Sequence, residues 1–262
     1  MNKPSNMDIQ TAIFLAAICS QTYKQHDTGD EWFLVPPTYR TVGTFTAAAI
    51  DGIGEPFGFV LESDRAIILA FRGTSTAVEW ISDFIAQQIP FKPVDNGSMT
   101  HRGFTDIYMT ARDRLFMLLE RVPQHKPLFV TGHSLGAALA ALAAYDISFN
   151  RPHNEIVVYT FASPRVGDPT FARSFSNQIS TSVRIANQND LVTHLPPLIY
   201  QPPKSSKIYH YMHVKNEAEL NFKAGSVSGN HALSSYFVEL AKLDPPFAEE
   251  ICAYPPGWCP PL

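Results

Sequence analysis

The pentapeptide Gly-His-Ser-Leu-Gly at residues 132–136 constrains the fold of this chain more than any other feature of its sequence. A short apolar run precedes it at residues 127–131, and an Ala/Leu-rich run follows it at residues 137–145. These two runs predict a strand and a helix, with the pentapeptide as the turn between them. Glycine at both ends of the turn permits the strand and the helix to approach closely.

A G-x-S-x-G turn between a strand and a helix is typical of enzymes that use the central serine as a nucleophile. We therefore interpret Ser134 as a nucleophile whose hydroxyl projects above a parallel sheet. The backbone N–H of Leu135, at the helix N-terminus, is the predicted donor to an oxyanion. His133, inside the turn, is expected to line the substrate pocket. The alternative is a chance match at a structural turn, which the lack of a second G-x-S-x-G disfavours.

A serine alone is a weak nucleophile at neutral pH, so it requires a base and an acid that orients the base. In hydrolases built around this turn, the chain order is serine, acid, histidine. Asp190 directly follows the predicted strand at residues 182–186, and parallel sheets place catalytic groups at the carboxyl ends of their strands. Asp146 is expected to point away on the helix after Ser134, and Asp168 is interpreted as a residue that fixes a loop. Asp190 is therefore the predicted acid.

Four histidines follow Asp190 and are candidates for the base. His194 is only four residues away, which is too near to reach independently between the acid and the serine. His210 and His213 lie in a predicted strand and are interpreted as packed or exposed residues. His231 lies in a predicted loop immediately before an amphipathic helix, a natural position for a catalytic group. His231 is therefore the predicted base.

Predicted strands and helices alternate along most of the chain, which favours a mostly parallel sheet with helices on both faces. With no clear linker, we expect a single α/β domain over residues 1–262, with an irregular Pro-rich tail at residues 244–262. The predicted strands occupy residues 58–61, 66–71, 127–131, 155–161, 182–186 and 208–214. The predicted helices occupy a first segment around residues 9–23, then residues 74–85, 104–122, 137–145 and 231–243.

The composition is that of a globular protein and excludes several kinds of partner. Hydrophobic residues make up 45% of the chain, and the formal net charge is −4. An acidic chain lacks the electrostatic basis for binding nucleic acid or acidic membranes. The most apolar early run, residues 11–19, is shorter than the ~18 residues of a membrane span and lacks the features of a signal peptide. We therefore expect a protein that is not integral to a membrane and is either cytoplasmic or exported by a non-classical route.

The three cysteines allow two interpretations. Cys19 is expected to pack as a small hydrophobe. Cys252 and Cys259 lie in the Pro-rich tail, where they either close a short loop as a disulfide or remain free thiols in a reducing compartment. Both interpretations fit the sequence equally well. No spacing of cysteine and histidine typical of a metal site is present in the sequence.

Five segments of the chain resemble, in order, those of the class 3 lipases, the family that includes the filamentous-fungal triacylglycerol lipases. The resemblance runs from the first helix to His231. One such segment is a weak signal, whereas five in order are specific. The segments are residues 70–74 (AFRGT) followed by Trp80 and Asp83, 101–104 (HRGF), 131–140 (TGHSLGAALA), 161–168 (FASPRVGD) and 189–197 (NDLVTHLPP).

The resemblance implies an α/β-hydrolase fold and supports Asp190 and His231 as partners of Ser134. It also implies that Thr74, which follows the F-R-G run, joins the oxyanion hole through its backbone N–H and its hydroxyl. The helix after it, about residues 75–85, corresponds to the lid that covers the serine in the family. The lid side chains expected to contact substrate are Val78, Trp80, Ile81 and Phe84.

The resemblance and the predicted triad favour a lipase that hydrolyses acyl-glycerol esters at a lipid–water interface through an acyl-enzyme. This chemistry requires neither a cofactor nor a metal. Two other kinds of protein remain as alternatives. A short-chain esterase or a phospholipase would share the triad, and a catalytically silent binding protein would have the same hydrolase fold without the activity. The fungal members are secreted and carry several disulfides, so three cysteines and no visible signal peptide point to a compact bacterial branch.

Overall fold

The computed structural model describes residues 7–30, 32–48, 54–74, 86–253 and 255–261. Within these residues, seven strands form a central sheet and two short hairpins add four more. In chain order the strands are β1 (Arg40–Ala48), β2 (Gly54–Glu62), β3 (Ile67–Phe71), β4 (Gln88–Pro90), β5 (Met99–His101), β6 (Leu128–His133), β7 (Ile156–Phe161), β8 (Thr181–Asn187), β9 (Ile199–Tyr200), β10 (Tyr209–His210) and β11 (Glu217–Leu220).

The central sheet has the order β1-β2-β3-β6-β7-β8-β11. The pairs β1–β2 and β2–β3 are antiparallel, whereas every pair from β3 to β11 is parallel. All residues of β3 and β7 are buried, as expected for parallel strands covered on both faces. The predicted mostly parallel sheet is therefore confirmed.

Helices cover both faces of this sheet. In chain order they are α1 (Ile9–Asp27), α2 (Arg102–Leu119), α3 (Leu135–Asn150), α4 (Pro169–Gln178), α5 (Val227–His231), α6 (Leu233–Ala241) and α7 (Pro245–Ala253), with a 3-10 turn at Leu191–His194. Neighbouring residues of one strand pack against helices on opposite faces of the sheet, because successive side chains point to opposite sides. Leu69 packs with the cluster of α2, α3 and α4, and Ile68 packs with the cluster of α1, α6 and α7.

The elements that were not predicted from the sequence include the central-sheet strands β1 and β11 and the helix α4. The two strands carry weak local signals, since β1 is largely half-exposed and β11 has four residues, whereas the proline that begins α4 was not recognised as a helix start. The lid predicted at residues 75–85, with Val78, Trp80, Ile81 and Phe84, lies outside the described residues. The single domain over residues 1–262 stays a prediction. Among the described residues, none of the helices combines the length and apolar character that crossing a bilayer requires.

The prediction of an irregular tail from residue 244 is wrong for Pro245–Ala253, which forms α7, whereas residues 255–261 contain neither helix nor strand. Asp244 caps this helix by accepting a hydrogen bond from the N–H of Phe247 at 3.2 Å. Proline is tolerated in the first turn of a helix, where its missing N–H would have no partner within the helix. The two prolines that made the tail look irregular therefore help to start a helix.

A disulfide joins Cys252 to Cys259 and closes the short loop that was one of the two sequence interpretations. The loop holds Trp258, which is buried and packs on Phe14 of α1 with ring centroids 5.6 Å apart. Its backbone oxygen accepts a hydrogen bond from the side chain of Gln21 at 2.6 Å. The tail is thus docked on the first helix.

Candidate active site

The predicted turn is present, and its geometry explains both glycines. Ser134 lies between β6 and α3 with φ 59° and ψ −124°, a backbone conformation that is rare for a residue with a side chain. A Cβ atom on Gly132 would lie 2.2 Å from the carbonyl oxygen of Gly136. A Cβ atom on Gly136 would lie 2.4 Å from the carbonyl oxygen of Phe71. A larger residue at either position would therefore push the strand and the helix apart and displace the serine.

The three residues predicted to form a triad lie together at the carboxyl edge of the sheet. Ser134 follows β6, Asp190 follows β8 and His231 ends α5. Nε2 of His231 is 2.8 Å from Oγ of Ser134. Its Nδ1 is 2.8 Å from Oδ2 and 3.0 Å from Oδ1 of Asp190. All three residues are buried, so one unbroken hydrogen-bond chain links hydroxyl, imidazole and carboxylate away from bulk water.

Other donors hold Asp190 in addition to His231. The backbone N–H of Val192 donates to Oδ1 at 3.0 Å, and the hydroxyl of Tyr236 donates to Oδ2 at 2.8 Å. The Tyr236 oxygen in turn accepts from the N–H of Asn187 at 2.9 Å. Burial, followed by the charge of Asp190, raises the pKa of Tyr236 well above its usual value of 10, so the phenol remains a donor at neutral pH. Sequence reasoning missed Tyr236, because a tyrosine on an amphipathic helix has the pattern of any core aromatic.

The structure places His231 at the end of a short helix and not in the predicted loop. It is the last residue of α5, and Ala232 alone separates it from α6. The side chain of Asn230 donates to the backbone oxygen of Asn189 at 3.1 Å. The backbone oxygen of Asn230 accepts from the side chain of Asn187, also at 3.1 Å. These two bonds tie the segment that carries the base to the segment that carries the acid.

Both ring nitrogens of His133, which was expected to line the substrate pocket, have hydrogen-bond partners within the protein. Its Nδ1 is 2.7 Å from the hydroxyl of Tyr23, and its Nε2 is 2.8 Å from the backbone oxygen of His231. Burial, with a smaller effect of His231, lowers the pKa of His133 to about 3, so the ring is neutral at physiological pH. Nε2–H must donate to the carbonyl, and Nδ1 therefore accepts from Tyr23. His133 therefore connects the hydroxyl of Tyr23 to the backbone of His231, and its contact with substrate stays a prediction.

Thr74 and Leu135 are the residues predicted for the oxyanion hole. Leu135 is the first residue of α3, where the backbone N–H has no partner within the helix. A Cβ atom on Gly73 would lie 3.2 Å from Cβ of Ser134, so the residue before Thr74 is packed against the serine. Oγ1 of Thr74 is buried and has no hydrogen-bond partner among the described residues. A buried hydroxyl of this kind is costly unless a ligand completes its hydrogen bonding, which makes Thr74 available to an oxyanion.

Other residues considered from the sequence have structural surroundings. Asp168 caps α4 by accepting from the N–H of Phe171 at 2.8 Å, as a loop-fixing residue would. Asp146 is buried on α3, where it binds Nε of Arg112 at 2.6 Å. His194 is exposed. Nowhere in the described part of the chain do three or more His, Cys, Asp or Glu side chains cluster in a way that could hold a metal ion.

Known proteins resemble this chain both in sequence and in fold. It is 35% identical over 150 residues to a lipase of Rhizomucor miehei, across 53% of this chain and 40% of that protein. It is 34% identical over 157 residues to the chloroplastic phospholipase A(1) DAD1 of Arabidopsis thaliana, across 52% of this chain and 35% of that protein. The solved structure of lipase II from Rhizopus niveus superposes with a TM-score of 0.67 at 28% identity, covering 85% of this chain and 82% of that one.

The chain spans less than half the length of these two curated relatives. They come from a fungus and a plant, so the expected bacterial origin stays a prediction. A family model described as "Lipase (class 3)" matches residues 68–200, more than half of the chain. The match includes the serine turn, Thr74 and Asp190, and the superposed lipase shares the surrounding sheet. The chain therefore belongs to the class 3 lipase family of α/β-hydrolases.

Proposed function

We propose that this protein hydrolyses carboxylic esters of lipids, acylglycerols above all, through an acyl-enzyme on Ser134. The observation that carries the proposal is the hydrogen-bond chain from Oγ of Ser134 through both ring nitrogens of His231 to Asp190. This order of groups gives a serine the base and the oriented acid that acyl transfer requires. A silent binding protein would have no need to keep these 2.8 Å contacts.

The geometry supports the following proton path. Nε2 of His231 takes the Ser134 proton as Oγ attacks the ester carbonyl, and a tetrahedral intermediate forms. The intermediate collapses when the alcohol leaves with that proton. Water then attacks the acyl-enzyme and gives a proton to His231, and His231 returns this proton to Oγ of Ser134 as the second tetrahedral intermediate collapses and the fatty acid leaves. Throughout, Asp190 keeps Nδ1 protonated and stabilises the imidazolium.

Two donors are proposed for the negative charge that develops on the carbonyl oxygen. Leu135 offers its backbone N–H at the N-terminus of α3, where the helix dipole also favours negative charge. Thr74 offers its backbone N–H and its unpaired, buried hydroxyl. Removal of one such donor typically lowers turnover by about 10²–10³. Thr74→Val should therefore lower kcat more than it raises KM.

A soluble ester tests the chemistry without requiring a lipid surface. The wild-type protein should hydrolyse short p-nitrophenyl esters and react with a fluorophosphonate probe. Ser134→Ala should lose the label and about 10⁶ of the turnover. Ser148→Ala is the matched control, because this serine lies on the same helix and bonds only a backbone oxygen there. Near-normal hydrolysis by Ser134→Ala would refute the proposal.

A phospholipase A1 activity is the second candidate, and the plant relatives favour it. The chain is 34% identical to one phospholipase A(1) and 31% identical over 203 residues to another, from Oryza sativa. The triad is common to both activities, so only the substrate separates them. Release of fatty acid from emulsified triacylglycerol, compared with release from phospholipid vesicles, decides between the two.

A further inference from the structure

Large apolar side chains that stay exposed are concentrated in one segment of this protein. Among the described residues ten such side chains are exposed, and five of them fall within residues 191–212. A concentration of exposed apolar surface is a common mark of an interaction site. The five are Leu191, Leu198, Ile199, Ile208 and Met212.

The β9–β10 hairpin, residues 198–210, explains why several of these side chains point outward. Tyr200 pairs with Tyr209, and both pack in a small apolar cluster. Successive residues of a strand face opposite sides, so the adjacent pair of Ile199 and His210 faces solvent. Ile199 is 63% exposed. The inward tyrosines fix the register, and this register keeps the isoleucine on the surface.

The hairpin lies near the carboxyl ends of the parallel strands, where the residues of the triad also lie. The chain reaches it directly from Asp190 through the 3-10 turn. Arg165, which follows β7 at the same edge, donates from Nη1 to the backbone oxygen of Pro196 at 2.8 Å and so anchors the approach to the hairpin. Leu191, next to the buried Asp190, is 53% exposed. The exposed apolar surface therefore begins beside the acid of the triad.

The charge of this segment is opposite to that of the whole chain. Residues 191–216 contain three lysines and neither aspartate nor glutamate, although acidic residues outnumber basic ones in the full sequence. Lys204 and Lys207 lie exposed between the two strands of the hairpin. Neither forms an ion pair with another described residue, and Nζ of Lys207 lies 5.0 Å from the ring centroid of Tyr209. The whole chain has a net charge of −4, but residues 191–216 form a locally basic segment.

We propose that the β9–β10 hairpin docks the protein on a lipid bilayer surface that bears anionic headgroups. Leu198, Ile199 and Ile208 enter the acyl-chain region, while Lys204 and Lys207 lie at the level of the phosphates. Two signals, one apolar and one basic, are what stable docking of a peripheral protein requires. The inference rests on the proposed function, because the hairpin follows Asp190 in the chain and docking there brings the residues around the triad close to an ester-bearing surface.

Binding is measured by flotation with vesicles, using Ser134→Ala so that no lipid is hydrolysed. One vesicle population is phosphatidylcholine alone, and the other is an equimolar mixture with phosphatidylglycerol. The protein should bind the mixed vesicles more tightly, and salt should weaken that binding. Lys204→Gln with Lys207→Gln should lose about 10-fold in affinity for the mixed vesicles and little for the neutral ones. Leu198→Ser with Ile199→Ser should weaken binding to both.

Matched control variants remove lysines or exposed apolar side chains from parts of the protein outside the hairpin. Lys24→Gln with Lys92→Gln removes two exposed lysines elsewhere, and Met117→Ser with Phe149→Ser removes two exposed apolar side chains on α2 and α3. These controls should bind like the Ser134→Ala parent. Equal losses in the control and hairpin variants would overturn the proposal, as would equal binding to both vesicle populations. A dimer in lipid-free solution that Leu198→Ser with Ile199→Ser abolishes would also overturn it, by showing that a second copy covers the hairpin.

Hydrolysis separates this proposal from the proposed function. With Ser134 intact, the hairpin variants should keep their turnover on a soluble short-chain ester and lose it on mixed vesicles. If the wild-type protein hydrolyses no ester yet Ser134→Ala binds anionic vesicles, the catalytic proposal fails and the docking surface stands. If soluble esters are hydrolysed and vesicles are not bound, the docking proposal alone fails.

Discussion

The hydroxyl of Tyr236 donates a hydrogen bond of 2.8 Å to Oδ2 of Asp190. The same carboxylate oxygen lies 2.8 Å from Nδ1 of His231, so the phenol and the imidazole share one acceptor. The shared oxygen makes the orientation of the carboxylate depend on a residue of α6 that never contacts the serine. A position of this kind should influence turnover through the acid alone.

Replacing the tyrosine tests that dependence. Tyr236→Phe should lower kcat on a soluble ester by about 10-fold with little change in KM, because the acid loses a hydrogen bond worth ~1.5–3 kcal/mol. Tyr145→Phe is the control, because its hydroxyl bonds only Asn96, Ser98 and Ser174. An unchanged kcat with an altered melting temperature would reduce Tyr236 to a packing residue.

The assignment of the base predicts a ranking of two histidines. His231→Ala should lose nearly as much turnover as Ser134→Ala, because members of a triad act as a unit. His194→Ala should keep most of it, since His194 is exposed and its Nε2 lies 3.4 Å from the backbone oxygen of Gln188. Turnover is measured on a soluble ester, with circular dichroism to confirm folding. The opposite ranking would assign the base to His194.

A buried polar cluster far from the triad should control stability and not activity. Asp146 is completely buried and accepts from the Tyr108 hydroxyl at 2.6 Å and from Arg112 at 2.6 and 3.0 Å. Asp146→Ala should lower the free energy of unfolding in urea by about 3–5 kcal/mol, because it leaves a partly buried guanidinium without its partner. Asp113→Ala, an exposed change on α2, should cost at most about 0.5 kcal/mol. Below the transition, Asp146→Ala should keep its turnover, and a loss there would contradict a purely structural role.

Three buried histidines should make the fold sensitive to moderate acid. Burial lowers the pKa of His101, His133 and His213 to about 3, against 6.5 for the free side chain. The unfolded state therefore binds more protons between pH 6.5 and 3. The stability that these neutral rings contribute is complete above pH 6.5 and falls as the pH drops toward 3.

A single substitution measures the contribution of one of these histidines to the pH dependence of stability. His101 is the N-cap of α2 and accepts from the N–H of Phe104, a role that asparagine also fills well. His101→Asn should reduce the slope of unfolding free energy against pH by one proton, about 1.4 kcal/mol per pH unit between pH 6 and 4. The slope comes from urea titrations across that range. An unchanged slope would show that His101 is protonated in the folded state.

Local sequence was sufficient to predict the serine turn and the elements around it. For Gly132 the steric reason is local, since a Cβ atom there would meet the carbonyl oxygen of Gly136, whereas Gly136 is required by the carbonyl oxygen of Phe71, which lies far away in sequence at the end of β3. Periodicity predicted α2 and the Ala/Leu-rich composition predicted α3, whereas β11, with four residues, was too short for a pattern. The prediction of an irregular tail was wrong for Pro245–Ala253 because the two prolines were taken as breakers and not as the first turn of α7.

The sequence by itself was sufficient to predict Ser134, Asp190 and His231 as a triad and the strand that precedes Asp190, because each prediction depends on a turn, on a strand end or on the order of residues along the chain. Only the tertiary structure decided which side chains support them. Tyr236 is 46 residues from Asp190, and Tyr23 is 110 residues from His133. A hydrogen bond across such a separation leaves no local pattern, because it depends on how two helices pack onto one edge of the sheet. The exposure of Ile199 is decided in the same way, by the register of a hairpin whose tyrosines pack inward.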